Sequence, residues 1–327
     1  MPDSIVPIYA ASLFAGSAGA WAVARWGGRF GLTDVPSARS SHRIPTPKGG
    51  GIGLLVTFIA ASVLTHYPFW FWATATGVSA LGLLTDRFDL SPYLRLMIQF
   101  LLAGIFVYGV TTETSAHGHS MIWLGFLVVY IVGTTNFYNF MDGINGMAAL
   151  SGLVAFFFIA GASLFHGGFS GYSETALCVM LACIGFLPFN FPRARVFMGD
   201  VGSVLLGFVF AGMVVAGSES YWDLIGAAGF LFPFYADGLS TLAIRLGKGH
   251  SLFEPHRKHL YQILVNEFNV EHWRVTLGYV TFQIVVSASA MIVWQVEPTG
   301  LIPLYILYFI AFATIDWKIR KAVPQKR

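Results

Sequence analysis

Apolar residues gather into eleven stretches, near 6–24, 50–66, 69–85, 94–111, 120–138, 146–165, 174–190, 201–217, 222–244, 276–295 and 300–317, with polar residues in the segments between them. A helix needs roughly 20 mostly apolar residues to cross a bilayer. The pattern therefore predicts an all-α polytopic membrane protein with about eleven transmembrane helices. The softest boundary lies between the second and third stretches, which only His66-Tyr67-Pro68 separates. The longer polar segments run over 25–49, 86–93, 139–145, 191–200 and 245–275, and a weak pattern over His250–Val265 predicts a short helix. No linker, low-complexity tract or internal repeat divides the chain, so residues 1–327 read as a single integral membrane domain.

Composition agrees. The chain is 56% hydrophobic and 11% charged, against about 25% charged in soluble domains, which excludes a soluble fold of this length. With eleven spans, all nineteen Lys and Arg fall on one face, while the opposite loops hold Glu113, Glu174, Glu219 and Glu297 at or near them. The positive-inside rule makes the basic face cytoplasmic, which puts the N-terminus in the periplasm and the C-terminus in the cytoplasm. Ala18-Gly19-Ala20 resembles a leader cleavage site, but the preceding segment carries Asp3 and no basic residue, so the first stretch reads as an uncleaved span. Cys178 and Cys183 share one apolar stretch and read as buried packing residues. A transporter would place polar residues near the midplane; here the acids weighed gather at one interface.

Those acids are few. Asp86 and Asp89 stand in TDRFDLSP, Asp142 in NFYNFMDGINGM and Asp200 in RVFMGDVGSVLLG, each where an apolar stretch meets the cytoplasm. Carboxylates at membrane depth usually line a polar cavity, and converging hard oxygens suit Mg²⁺ held jointly with substrate phosphates. Each acid alone reads equally well as a helix cap. Met198-Gly199-Asp200-Val201-Gly202-Ser203 opens a stretch and offers free backbone N–H groups and Ser203 to an anion. Asn136, Asn139 and Asn145 suit a nucleobase or sugar, or glue between helices. The stiff basic segment from Asp34 to Gly51 holds Arg39, His42, Arg43 and Lys48, and EPHRKHLYQIL holds His256, Arg257, Lys258 and His259. The first suits a diphosphate or an anionic lipid headgroup; the histidines of the second suit phosphate binding, proton donation or a metal.

Taken in order, PSARSSH…PTPKGGG, LTDRFDLS, NFYNFMDGINGM, FNFPRARVFMGDVGS and HRKHLYQIL resemble the polyprenyl-phosphate N-acetylhexosamine-1-phosphate transferases, and the resemblance covers the whole chain. It implies that a prenyl phosphate attacks the β-phosphate of a UDP-sugar and releases UMP. It implies Mg²⁺, with Mn²⁺ as a substitute, and places Asp86, Asp200 and His259 in catalysis, with Asp200 the metal ligand. Arg43, Lys48, Asn139, Asp142, Asn145, Asn190, Phe197, His256 and Arg257 would bind substrate. The implied partners are undecaprenyl phosphate, a UDP-N-acetylhexosamine and the bilayer of a bacterial inner membrane, with no nucleic acid; a homodimer stays open. The implied pathway is lipid-linked envelope polysaccharide of the O-antigen type. Three departures stand out. Thr85-Asp86 replaces the family's adjacent aspartates, which leaves open a relative that binds without efficient turnover. Asn145 replaces a frequent Asp. HRKHLYQ lacks the consecutive histidines of the peptidoglycan enzyme, which points to a plain UDP-N-acetylhexosamine.

Overall fold

A computed structural model describes residues 5–36, 41–42, 44–88, 90–113, 120–249 and 257–323. Each of the eleven apolar stretches is helical. The first is α1 (Ile5–Trp26); a turn over Gly27–Phe30 then leads into an antiparallel pair, β1 (Thr33–Asp34) with β2 (Thr46–Pro47). There follow α2 (Ile52–Leu64), α3 (Phe69–Phe88), α4 (Pro92–Glu113), α5 (Met121–Met141), α6 (Met147–Ala162), α7 (Ser173–Asn190), α8 (Asp200–Gly217), α9 (Tyr221–Ala228), α10 (Phe232–Gly247), α11 (Leu260–Asn266), α12 (His272–Val296) and α13 (Leu301–Lys321).

Three features differ from the sequence reading or sharpen it. His66 adopts φ 58 and Pro68 precedes α3, so the soft boundary is a real turn; proline cannot extend the hydrogen-bond ladder of a preceding helix. The stretch over 222–244 is two helices, α9 and α10, joined by a 3-10 turn at Gly229–Leu231. Pro233 stands at the start of α10 and has no N–H to continue α9. In the last polar segment, residues 257–259 are not helical and the helix is α11, while 250–256 lie outside the described residues.

Among the described residues, eight helical segments are long and apolar enough to cross a membrane, with α9 and α10 counted as one, and α2 and α6 are shorter apolar helices. The chain is a multi-pass membrane protein. Its centre is α8, apolar all round and buried along nearly its whole length, as a helix without a polar face must be. It packs against α2, α3, α5 and α6. Small residues allow the close approach: a Cβ on Gly207 would lie 2.8 Å from Thr135 Cα of α5. Asn136 on α5 donates to Gln99 Oε1 on α4 at 2.7 Å and to Val132 O at 2.8 Å, so of its two readings the structure shows the interhelical one. Cys178 and Cys183 are buried free thiols. The N-terminus of α8 therefore meets the C-terminal ends of α3 and α5, and the candidate site forms there.

Candidate active site

Backbone pairing builds the floor. Phe197 N–H donates to Pro47 O at 2.8 Å, and the N–H groups of Gly50 and Gly51 donate to Phe197 O and Met198 O at 3.0 and 2.9 Å. PTPKGGG and RVFMGD thus run side by side and carry Lys48 and Phe197 to the start of α8. The seam needs Gly199. Its φ is +74, and a Cβ there would lie 2.6 Å from both Asp86 Oδ2 and Gly49 N, a space and a conformation that suit only glycine.

Above this floor lies a cavity of about 320 Å³. The ends of the helices line it with Asp86 from α3, Asn139 and Asp142 from α5, Asn190 from α7 and Asp200 from α8. The first polar segment adds Asp34, Ser41, His42 and Lys48, and α11 adds Gln262. Phe197 forms one wall, with the His42 ring edge-on to it at 4.8 Å. His42 Nε2 lies 3.7 Å from Asp34.

The charges are interlocked. Asp200 Oδ1 accepts from Asn139 Nδ2 at 2.9 Å, and the same amide reaches Ser203 Oγ at 2.9 Å. Asp200 Oδ2 pairs with Arg95 Nη2 at 3.0 Å. Asp86 is nearly buried; its Oδ1 lies 3.5 Å from Lys48 Nζ and its Oδ2 accepts Val201 N–H at 3.4 Å. Burial, then the nearby Asp200 and Asp86 carboxylates, push the Asp142 carboxyl well above its ordinary range. Asp86, Asp142 and Asp200, three of the four acids that line the cavity, repel one another, and the site suits a ligand that brings positive charge.

Three of the first-turn donors of α8 that the sequence offered to an anion already have partners. Val201 N–H goes to Asp86, the N–H groups of Gly202 and Ser203 go to Gly199 O, and Ser203 Oγ donates to the same carbonyl at 3.2 Å. Gly199 closes the turn on itself, and the Asp86 carboxylate caps it.

Of the remaining expected residues, Asn190 is buried at the cavity edge, where Nδ2 donates to Val196 O at 2.9 Å and Oδ1 accepts Gly146 N–H at 2.7 Å. Asn145 is not part of the lining: Nδ2 donates to Pro192 O at 3.1 Å, and its own carbonyl accepts Thr276 Oγ1 at 2.9 Å. Arg257 lies 3.7 Å from Glu267. His259 is buried against Asp237, with Nδ1 3.1 Å from Oδ1. Arg39, Arg43, Asp89 and His256 lie outside the described residues. Sequence reading missed Arg95, which it counted only as a topological charge, and Gln262 and Asp237. Asp237 carried a usable signal, since an acid inside an apolar stretch is costly and needs a reason.

Residues 68–218 match the sequence profile described as Glycosyl transferase family 4. An undecaprenyl-phosphate alpha-N-acetylglucosaminyl 1-phosphate transferase of Thermotoga maritima is 33% identical over 252 residues, covering 77% of this chain and 78% of the relative. The chain belongs to glycosyl transferase family 4. Further relatives of this family-4 chain span more of it. A decaprenyl-phosphate N-acetylglucosaminephosphotransferase of Mycobacterium tuberculosis H37Rv is 28% identical, over 90% of this chain and 84% of the relative. An undecaprenyl-phosphate alpha-N-acetylglucosaminyl 1-phosphate transferase of Escherichia coli O157:H7 is 26% identical, over 90% and 85%.

Within this family-4 chain, Thr85 is the departure with a clear structural reading. Its hydroxyl donates to Leu81 O of its own helix at 2.9 Å, and Thr85 is not part of the cavity lining, whereas Asp86 is. The pocket carboxylate of this pair is at position 86. Thr85→Asp is therefore expected to leave turnover within about threefold, as substitutions away from packed or charged features usually do. A gain of an order of magnitude in steady-state rate would show instead that the second carboxylate is needed.

Proposed function

We propose that this family-4 transferase moves N-acetylhexosamine-1-phosphate from a UDP-sugar to undecaprenyl phosphate at the cytoplasmic face of a bacterial inner membrane, releasing UMP and starting a lipid-linked envelope polysaccharide. The observation that carries the reading is the cavity itself: Asp86, Asp142 and Asp200 line it where apolar helices end, with Lys48 beside Asp86 and Arg95 paired to Asp200. A lipid phosphate and a water-soluble nucleotide sugar can both reach such a place. A count of eleven crossings with a periplasmic N-terminus is supported by the basic residues, since with that count all nineteen Lys and Arg fall on one face. The relatives' names point to N-acetylglucosamine as the first donor to test.

The chemistry fits the donors present. Among the described residues, no three His, Cys, Asp or Glu side chains stand close enough to hold a metal by themselves. Mg²⁺ is commonly held by one or two carboxylates plus substrate phosphates, and Asp200 with its neighbour Asp142 offers that incomplete set; Mn²⁺ accepts the same oxygens. When bound, the cation offsets the charge of the diphosphate. A lipid phosphate oxygen then forms a bond to the β-phosphorus as the bond to the bridging oxygen breaks, and UMP leaves. Such transfer depends on positioning and charge stabilisation. Lys48, Arg43 and Arg257, with His256, supply charge to the phosphates. Phe197 offers an aromatic face to the uracil, and Asn139 and Asn190 shape the nucleotide pocket, with Asn145 bracing it from behind. Asp86 stands beside Lys48 where the lipid phosphate would enter.

The test is UMP release by purified protein given undecaprenyl phosphate, Mg²⁺ and a panel of UDP-N-acetylhexosamines. Release that requires the lipid, the cation and one sugar is the expected result. Folded protein that releases no UMP with any donor would overturn the reading.

A further inference from the structure

Asp237 lies on α10, within an apolar segment long enough to cross the membrane, and its side chain is wholly buried. A charge removed from water must be compensated by several partners. Oδ1 accepts from His259 Nδ1, Leu260 N–H and Thr241 Oγ1, each at 3.1 Å. Oδ2 accepts from Tyr279 O–H at 2.7 Å and from Tyr261 N–H at 3.5 Å. One carboxylate thus ties α10 to α12 and caps the start of α11.

The far side of α11 is the wall of the cavity. Tyr261 O–H donates to Phe140 O at 2.8 Å, next to Asn139. Gln262 lines the cavity, and its Oε1 accepts His259 N–H at 3.3 Å. Asn266 Nδ2 donates to Ser41 Oγ at 3.2 Å, and Ser41 is another lining residue. The chain of contacts runs from Asp237 through the N-terminus of α11 to both the α5 and the Ser41 sides of the pocket. His259 stands at the Asp237 end of this chain, buried and outside the described lining of the cavity. Its Nδ1 faces a carboxylate, which assigns the proton to that nitrogen.

We propose that Asp237 is the positioning residue for the α11 wall of the active site, and that His259 serves the reaction through Asp237, by holding α11 in place, rather than by touching substrate. The effect on turnover rests on the transferase reading given above; the positioning itself does not. A loosened wall weakens binding of the nucleotide sugar more than it slows the chemical step, because the groups proposed above to meet the reacting phosphates, Lys48 directly and Asp200 through a cation, lie outside α11.

The decisive comparison uses the full-length protein in detergent or nanodiscs. An Asn amide nitrogen can take the place of His Nδ1 as donor, while Ala cannot. His259→Ala and Asp237→Asn are expected to raise KM for the UDP-sugar about tenfold, the order of a hydrogen bond to a charged group, with a smaller change in kcat. His259→Asn should recover most of what His259→Ala loses. The double variant Asp237→Asn/His259→Ala should be little worse than the more affected single variant, since the two residues act as a unit. Amide hydrogen exchange over 260–266 should quicken in both single variants. If His259→Asn loses kcat as fully as His259→Ala, or exchange over α11 is unchanged, the proposal is overturned. Should Asp237→Asn not fold, Tyr279→Phe removes one donor from Oδ2 and should shift KM and exchange in the same sense; no shift in either counts against the idea. If the unmodified protein releases no UMP, the transferase reading fails, and exchange over 260–266 still decides whether Asp237 positions α11.

Discussion

Asp200→Ala is expected to lower lipid-dependent UMP release by about a thousandfold, the scale of losing one preorganised charge contact in the transition state. Asp200 stands at the first residue of α8, with Oδ1 fixed by Asn139 at 2.9 Å and Oδ2 by Arg95 at 3.0 Å. Both oxygens point into the cavity region rather than into the core, and the side chain keeps about a quarter of its surface exposed. Removal therefore costs little packing. Asp200→Asn preserves the shape and removes the charge, and should be nearly as inactive while its thermal midpoint stays close to that of the unmodified protein. Direct binding of Mn²⁺, followed by its electron paramagnetic resonance signal, should weaken in both variants. Activity retained within tenfold in the Asn variant would remove Asp200 from the chemistry.

Gly82→Val should have the second largest effect, although position 82 touches no substrate. Gly82 brings α3 against the first turn of α8, where a Cβ would lie 2.5 Å from Asp200 O and 2.8 Å from Val201 N. Ser79 Oγ donates to Val201 O at 2.6 Å one turn earlier. The obstacle is backbone, so the helices must move apart. Overpacking of this kind costs about 1–3 kcal/mol or more, and a shift of about 1 Å at the reacting groups costs on the order of a hundredfold in rate. Loss of activity should therefore accompany a lower thermal midpoint. Gly104→Ala on α4 is the control, since a Cβ there meets nothing within 4 Å; it should leave activity unchanged. Equal effects of the two substitutions would show that the α3–α8 approach does not set the site.

The helices were legible because apolar length is a local property. Each of the eleven stretches proved helical, and the one misread as continuous, over 222–244, broke at the Pro233 signal already present in the sequence. Asp86, Asn139, Asp142 and Asp200 were legible as candidates because acids and amides are rare at the ends of apolar segments, and the structure brings all four to one cavity. That donors at the α8 N-terminus are already taken was not recoverable from sequence. Which donors stay open depends on a carboxylate 115 residues away, Asp86, that occupies the Val201 amide.

Arg95 and Asp237 show the same limit from the other side. In the sequence Arg95 is one of nineteen basic residues, and Asp237 is an acid inside an apolar run. Their significance lies in partners far along the chain, Asp200 for the first and His259 with Tyr279 for the second. Hydrophobic length and charge asymmetry are sums over neighbours in sequence, so the chain alone determined that this is a multi-pass helical protein with Asp86, Asp142 and Asp200 at the helix ends. Hydrogen bonds and ion pairs act only over a few ångströms in space. Tertiary packing alone decided which carboxylate meets which cation, which amides remain for a ligand, and that His259 is turned inward to a buried acid.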